Sequence, residues 1–468
     1  MNKQKAVVAG AFVTGMVLVL AVLVTLKIWP DEHECPKRAG ELVVLGGKDV
    51  SVGRELQSLI EGWPGVGGTG GDAVKARLRE LPGTADLQHS QASATAQGGG
   101  CGVDVYLLDT PWIPQFAKAG WLHPLAEGTF EELKEHELIK PLVAGNLRRS
   151  GYYDGRLWAV PLHVDVPLLY YRKDLLEKYG GAQGRLSLGS WEEVWKGAER
   201  VLAGETGETL KAGYAAQLAD YEGFTVNVLE LTWAHGDADG DGAVPGGAAL
   251  QALRSRLQAL TGERPLIDPR SFSWHEDDAT EAFRNGETVF LRNWPTAYPR
   301  LVQGLSGGAK EFGEKYGVVA LPPSGEDGVR GVLGGQSLAV AANSPYRKEA
   351  LELIRYLTGA QAQRSLFRCG GFAPGRAQIY YESGEDCAAH GSGAKSENVV
   401  RGLPAQYMPT LLEAIKGARP RPSSPYYTHY SRVFRALLRC GLQTPPSPDC
   451  GEGDEDWEET LAKALEGR

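Results

Sequence analysis

Asp109, Thr110 and Trp112 follow directly on the apolar run Val103 to Leu108. That places them at the carboxyl end of a predicted strand, where ligands gather in α/β sheets. Further along, His163 and Asp165 sit in a stretch bracketed by Pro161 and Pro167, Trp294 follows the strand-like run Thr288 to Leu291, and Arg421 lies in the proline-interrupted segment Arg419 to Tyr427. A carboxylate accepts two donors at once, a guanidinium presents a fork of donors, and an indole offers a flat apolar face. These groups suit the reversible capture of a small hydrated molecule that carries paired hydroxyls. Each also has a plainer reading: Asp109 can cap the helix that follows it, Trp112 and Trp294 can be packing residues, and His163 can be an exposed strand residue at a bend.

The elements that must position these residues follow from periodicity. Glu41 to Gly47 is an apolar strand ending in glycines, Val52 to Glu61 has helical spacing, and Trp112 to Ala119 opens a helix behind Pro111. The stretch Gly155 to Leu176 changes character within itself, from a glycine turn through β-type residues to a helical pattern after Arg172-Lys173-Asp174. It reads as an irregular strand crossing between two bodies. Ser190 with Glu193 is a capping-box signature for a helix reaching Leu202. Tyr221 to Trp233 reads as another helix, Leu338 to Ala342 as a strand and Tyr346 to Leu357 as an amphipathic helix. Residues 360 to 440 read as mostly helical, and the tail from Thr444 as exposed apart from a short helix near Leu461 to Leu465. Gly236 to Gly242 alternates acids with small residues like a calcium loop, but Ala248 stands where the bidentate acid belongs, so a solvated turn is expected.

Four stretches carry a resemblance, in one order along the chain: Asp104 to Leu122; Gly155 to Leu176; Ala282 to Glu287 followed by Arg292 to Pro295; and Tyr316 to Pro322 followed by Gly334-Gly335 and the helix from Pro345 to Thr358. Over about residues 40 to 440 they resemble the extracellular solute-binding proteins (family 1) of ABC sugar importers, similar to trehalose- and maltose-binding proteins. The resemblance implies an α/β, two-lobe, periplasmic-binding-protein-like (type II) fold with a hinge between the lobes. Lobe 1 would comprise residues 41–163 and 323–358, lobe 2 residues 164–322 and 359–445 with a helical cap, and residues 446–468 an acidic tail. It also implies that Asp109 and Asp165 bind hydroxyls, that Trp294 is the stacking plate, that Gly334 and Gly335 allow a close backbone approach, and that Arg421 clamps from the cap. Trp112 and His163 complete the expected site. Two positions depart from the trehalose-type pattern, His163 where asparagine is usual and Gln336-Ser337 where Trp-Asn is usual, so a different ligand is compatible with the fold.

The function implied is capture of a di- or oligosaccharide between the lobes and delivery to the membrane subunits of an ABC permease, with no cofactor, no catalytic residue and a monomeric state. A second reading uses the same fold as a ligand sensor or scaffold for a membrane signalling partner. A third, a glycoside hydrolase with Asp109 and Asp165 as its carboxylate pair, needs one acid buried and the other solvated, and nothing in the sequence marks that difference.

Composition sets the remaining bounds. The 468 residues suffice for two or three domains, and 58 acidic against 49 basic residues give a net charge of −9, which argues against nucleic acid as a partner. Ala6 to Leu26 is an uncharged apolar run preceded by Lys3 and Lys5 and followed by Asp31, Glu32 and Glu34. Its length and flanks predict an N-terminal transmembrane helix within residues 1–30, holding the rest on the outer face of the bacterial cytoplasmic membrane through a tether at 31–40. His33-Glu34 before Cys35 does not match a lipidation site. Cys35, Cys101, Cys369, Cys387, Cys440 and Cys450 are an even set in an oxidising location. Short loops favour Cys369 with Cys387 and Cys440 with Cys450, leaving Cys35 with Cys101.

Overall fold

Two sheets divide the chain. The computed structural model describes residues 35–38, 40–65, 74–179, 188–234, 244–246, 253, 265–325, 327–382, 407–440 and 457–468. In the first sheet the strand Glu41–Gly47 pairs in parallel with Lys75–Leu81 on one side and Val105–Asp109 on the other. Its residues run apolar without alternation because both faces are covered, Leu42 to Gly47 all being buried. Gln336–Ala341 then pairs antiparallel to Val105–Asp109, setting Gln336 opposite Asp109, and also adjoins Leu122–His123 and Ala159–Pro161. The helices Glu55–Glu61, Ala85–Gln97 and Arg347–Leu357 pack on this sheet.

The second sheet runs Ala212–Ala215, Thr288–Asn293, Leu168–Arg172, Tyr316–Ala320, with Leu168–Arg172 antiparallel to both its neighbours and the first two strands parallel. Trp191–Gly204 packs against it, opened by the expected capping box of Ser190 and Glu193. Glu222–Ala234 has every residue from Glu222 to Trp233 buried, as befits a helix enclosed between a sheet and a cap. The cap consists of Tyr407–Gly417 and Tyr427–Cys440, the first against Tyr316–Ala320 and the second against Glu222–Ala234.

The crossings between sheets are bound to one another. Between Ala159–Pro161 and Leu168–Arg172 the chain makes the short strand His163–Val164, paired with Ala373–Pro374, and a bridge between Asp165 and Gly334. Asp165 and Gly334 exchange both backbone hydrogen bonds, at 3.2 and 2.7 Å, and the Leu162 amide donates to the Gln336 carbonyl at 2.8 Å. Gly335 lies at φ +118°, and a Cβ there would fall 2.3 Å from the His163 carbonyl oxygen, so only glycine fits. Val332–Leu333 pairs in parallel with Arg419–Pro420, which delivers Arg421 to the hinge.

The lobe limits differ from the sequence expectation at two points. The return to lobe 1 occurs at Gly334-Gly335 rather than at 323, because residues up to Leu333 are held by the cap, with the Arg330 amide donating to the Gly417 carbonyl. Helix Ala360–Arg368, expected in lobe 2, packs on Glu55–Glu61 of lobe 1, and Ser365 donates to Glu55. Thr358-Gly359 is too short a link to leave lobe 1 after Arg347–Leu357. In the tail, the short helix expected near Leu461 to Leu465 runs Trp457–Leu465, with Trp457, Leu461 and Ala464 buried against Tyr427–Cys440 as an i, i+4, i+7 stripe.

Cys35 and Cys101 form a disulfide spanning 66 positions, as the pairing argument expected. Cys369 is disulfide-bonded as well, while its expected partner Cys387 and the side chains of the Cys440–Cys450 pair lie outside the described residues. The apolar run Ala6 to Leu26 and the Gly236 to Gly242 turn also lie outside them. Among the described residues no helix is long and apolar enough to cross a membrane.

Candidate functional site

A cleft of about 490 Å³ opens between the two sheets at the crossings. Asp109, Trp112, His163, Asp165, Trp294, Gly334, Gly335 and Arg421 all line it. Topology brings them there. Asp109 ends Val105–Asp109, Trp294 follows Thr288–Asn293, and His163, Asp165 and the glycine pair belong to the hinge.

Asp109 makes no side-chain cap to the helical turn Thr110–Trp112. Its carboxylate instead accepts both terminal nitrogens of Arg421, at 2.6 and 3.0 Å. Arg421 Nη1 also donates to Glu222 Oε1 at 2.8 Å, so the buried guanidinium joins a lobe 1 carboxylate to a lobe 2 carboxylate. Glu222 is further held by the hydroxyls of Tyr427 and Ser431. Burial pushes the Glu222 carboxyl above the ordinary range, against the pull of Arg421 and the Tyr427 hydroxyl.

Trp294 is fixed at its edge and on one face. Its indole N–H donates to Glu276 at 3.2 Å, and the Arg292 guanidinium lies 3.9 Å from its ring centroid. Arg292 is itself buried and locked by two hydrogen bonds to Glu230, at 2.6 and 2.9 Å. The ring is also packed partly against the lobe 2 core, and the rest of it faces the cleft. Trp112, by contrast, is buried among lobe 1 residues with His89 packed edge-on at 5.3 Å, so it contributes wall rather than an open plate.

His163 is buried, stacked on Phe372 at 4.3 Å, with its Nδ1 3.5 Å from Asp165 Oδ2. It is therefore a cleft residue and not an exposed strand position. Burial raises the Asp165 carboxyl above the ordinary carboxylate range; His163 and Arg421 pull it down, while Asp109 and Glu276 add to the rise. Among the described residues, one buried polar atom on this wall, Arg421 Nε, has no hydrogen-bond partner, while His163 Nδ1 faces Asp165 and the Tyr221 hydroxyl faces Glu276. A buried polar group is seldom left so, and a ligand hydroxyl would satisfy it.

Sequence reasoning missed Lys48, Tyr221, Glu222, Glu276 and Phe372, which line the same cleft. Lys48 follows the strand Glu41–Gly47, so the strand-end rule that found Asp109 also reaches it. Glu222 and Glu276 each begin a helix and looked like ordinary first-turn acids. Phe372 had no local signal, since only the pairing of Ala373–Pro374 with His163–Val164 brings it to the hinge.

A family model described as bacterial extracellular solute-binding protein matches residues 70–388. A probable ABC transporter-binding protein of Deinococcus radiodurans is 30% identical over 398 residues, covering 83% of this chain and 85% of its own. The maltose-bound MalE3 of T. maritima superposes with a TM-score of 0.70 at 26% identity, over 91% of this chain and 99% of that one. The GacH receptor of Streptomyces glaucescens, solved unliganded and with acarbose, shares the fold at a TM-score of 0.66 and 19% identity, over 92% of this chain and 98% of its own.

Proposed function

The chain belongs to the bacterial extracellular solute-binding proteins, which are transport binding proteins and not enzymes, and from that premise we propose that it captures a di- or oligosaccharide for an ABC importer. The observation that carries the reading is the make-up of the cleft wall. The unpartnered Arg421 Nε, the His163–Asp165 pair with its raised carboxyl, and Trp294 with the Arg292 cation against it line one cleft. A sugar ring is amphipathic in the matching sense, with hydroxyls around its edge and C–H groups on its faces. In this reading Asp165, His163 and Arg421 Nε meet hydroxyls and Trp294 stacks on a ring. Gly334 and Gly335 let the hinge backbone approach closely. The maltose in the T. maritima relative supports a glucoside as the first ligand to try.

Delivery then follows from hinge bending. A ligand that touches both lobes binds the closed form better than the open one, and so shifts the population toward the surface a permease recognises. The apolar run Ala6 to Leu26 would hold the monomeric binding unit at the outer face of the membrane. A thermal-shift screen of the full-length chain against mono-, di- and oligosaccharides tests this proposal. A concentration-dependent rise in melting temperature with at least one of them is expected, and silence across the panel would overturn it.

A further inference from the structure

Beyond the expected site, the two lobes meet through a second set of charges. Asp86, at the start of the lobe 1 helix Ala85–Gln97, accepts Arg435 Nη2 at 2.8 Å and the Glu222 backbone amide at 2.8 Å. Arg435 comes from the cap helix Tyr427–Cys440 and also donates to Ser431 at 2.8 Å and to Asp220 at 3.0 Å. Ser431 in turn donates to Glu222 and sits 2.7 Å from the Thr225 hydroxyl. Glu222 thus belongs to both connections, its carboxylate holding Arg421 on Asp109 and its amide holding Asp86.

We infer that Asp86, Arg435 and Glu222 act with the Asp109–Arg421 pair as a two-point latch across the lobe boundary, which sets how much of the protein is closed and thereby its apparent affinity. Both bridges join an aspartate of lobe 1 to an arginine of lobe 2, and both arginines are buried. Hinge opening pulls each aspartate from its arginine and leaves the guanidinium with its lobe 2 partners only. Charge-assisted bonds of this kind are about twice as strong as neutral ones. They exist between protein groups alone, so they bias closure whatever molecule the cleft takes. A protein whose competent form is more populated binds with a smaller apparent Kd, since that fraction scales the intrinsic constant.

The inference rests on the hinge-closing part of the proposal above, and its test needs no carbohydrate. Dyes on non-canonical residues replacing the exposed Glu131 of lobe 1 and Glu192 of lobe 2 would report lobe separation by single-molecule energy transfer in the full-length chain. Asp86→Ala removes both of that residue's bonds while installing a strong helix former. The closed-to-open ratio should fall by about tenfold, within the usual range of coupling between sites. Arg435→Met should do the same, and the double variant should lose little more than either single, because both remove one connection. Unchanged separation in Asp86→Ala, or strictly additive losses in the double variant, would overturn the latch. A shifted separation with no response to any sugar would leave it standing and reject the carbohydrate reading alone.

Discussion

Asp165 gives the cleft a calculable response to acid. Burial raises its carboxyl, with His163, Asp109, Glu276 and Arg421 as the charged or titratable neighbours that modify it. In the free protein, a folded value above the unfolded one means that the stabilising contribution is complete below the unfolded value of ~4 and is lost as pH rises through the folded one. Binding carries the opposite sign. A ligand hydroxyl donates to the ionised form, so affinity should be lost as pH falls through the raised value, above the range in which exposed carboxylates titrate. Titrations with maltose as the probe between neutral and mildly acidic pH should show that loss, and Asp165→Asn should flatten the profile and lower affinity at neutral pH. An unchanged slope in Asp165→Asn would remove Asp165 from the contacts. Trp294→Ala tests the stacking plate: losing a large aromatic contact of about 2–3 kcal/mol should weaken maltose binding by about 30- to 150-fold. The types of these residues were legible because each stood next to a strand end or a proline break. Their engagement was not, since nothing around Arg421 in sequence announces Asp109, which lies 312 positions away.

At the scale of elements, the hinge depends on one backbone position. Gly335 is held at φ +118° against the His163 carbonyl, so Gly335→Ala adds both strain and a collision. A loss of about 2–4 kcal/mol in chemical unfolding is expected, combining ~1–3 kcal/mol for the forced backbone conformation with displacement of the His163–Asp165 strand. A variant as stable as the parent would contradict the pairing of the crossings. The strands and helices around this point were largely readable from the sequence, because lobe cores bury them on both faces and make them uniformly apolar. The assignment of helices to lobes was not. Ala360–Arg368 stays with lobe 1 because of a two-residue link, and Trp457–Leu465 docks through three apolar residues among many acids. Both outcomes depend on packing partners far away in sequence, which periodicity does not record.

For the molecule as a whole, the Cys35–Cys101 disulfide ties the N-terminal end of the described chain to the wall of lobe 1. Cys35 is buried there, and its amide donates to the Asn343 carbonyl at 3.2 Å. Closing a loop of 66 positions is worth about 4 kcal/mol in the chain-entropy account. Replacing both cysteines with serine should lower unfolding stability by up to that amount and leave maltose affinity unchanged, as neither cysteine lines the cleft; a large affinity change would mean that the N-terminal segment reaches the site. In the proposed function two hinged lobes grip a hydroxyl-rich ring between Asp165 and Trp294. Calorimetric titration of the full-length chain with maltose, trehalose and longer oligosaccharides, run beside Trp294→Ala, tests it most directly. Saturable one-to-one heat is expected with at least one sugar, strongly diminished in the variant. No heat from any of them, or heat indifferent to Trp294, would contradict it.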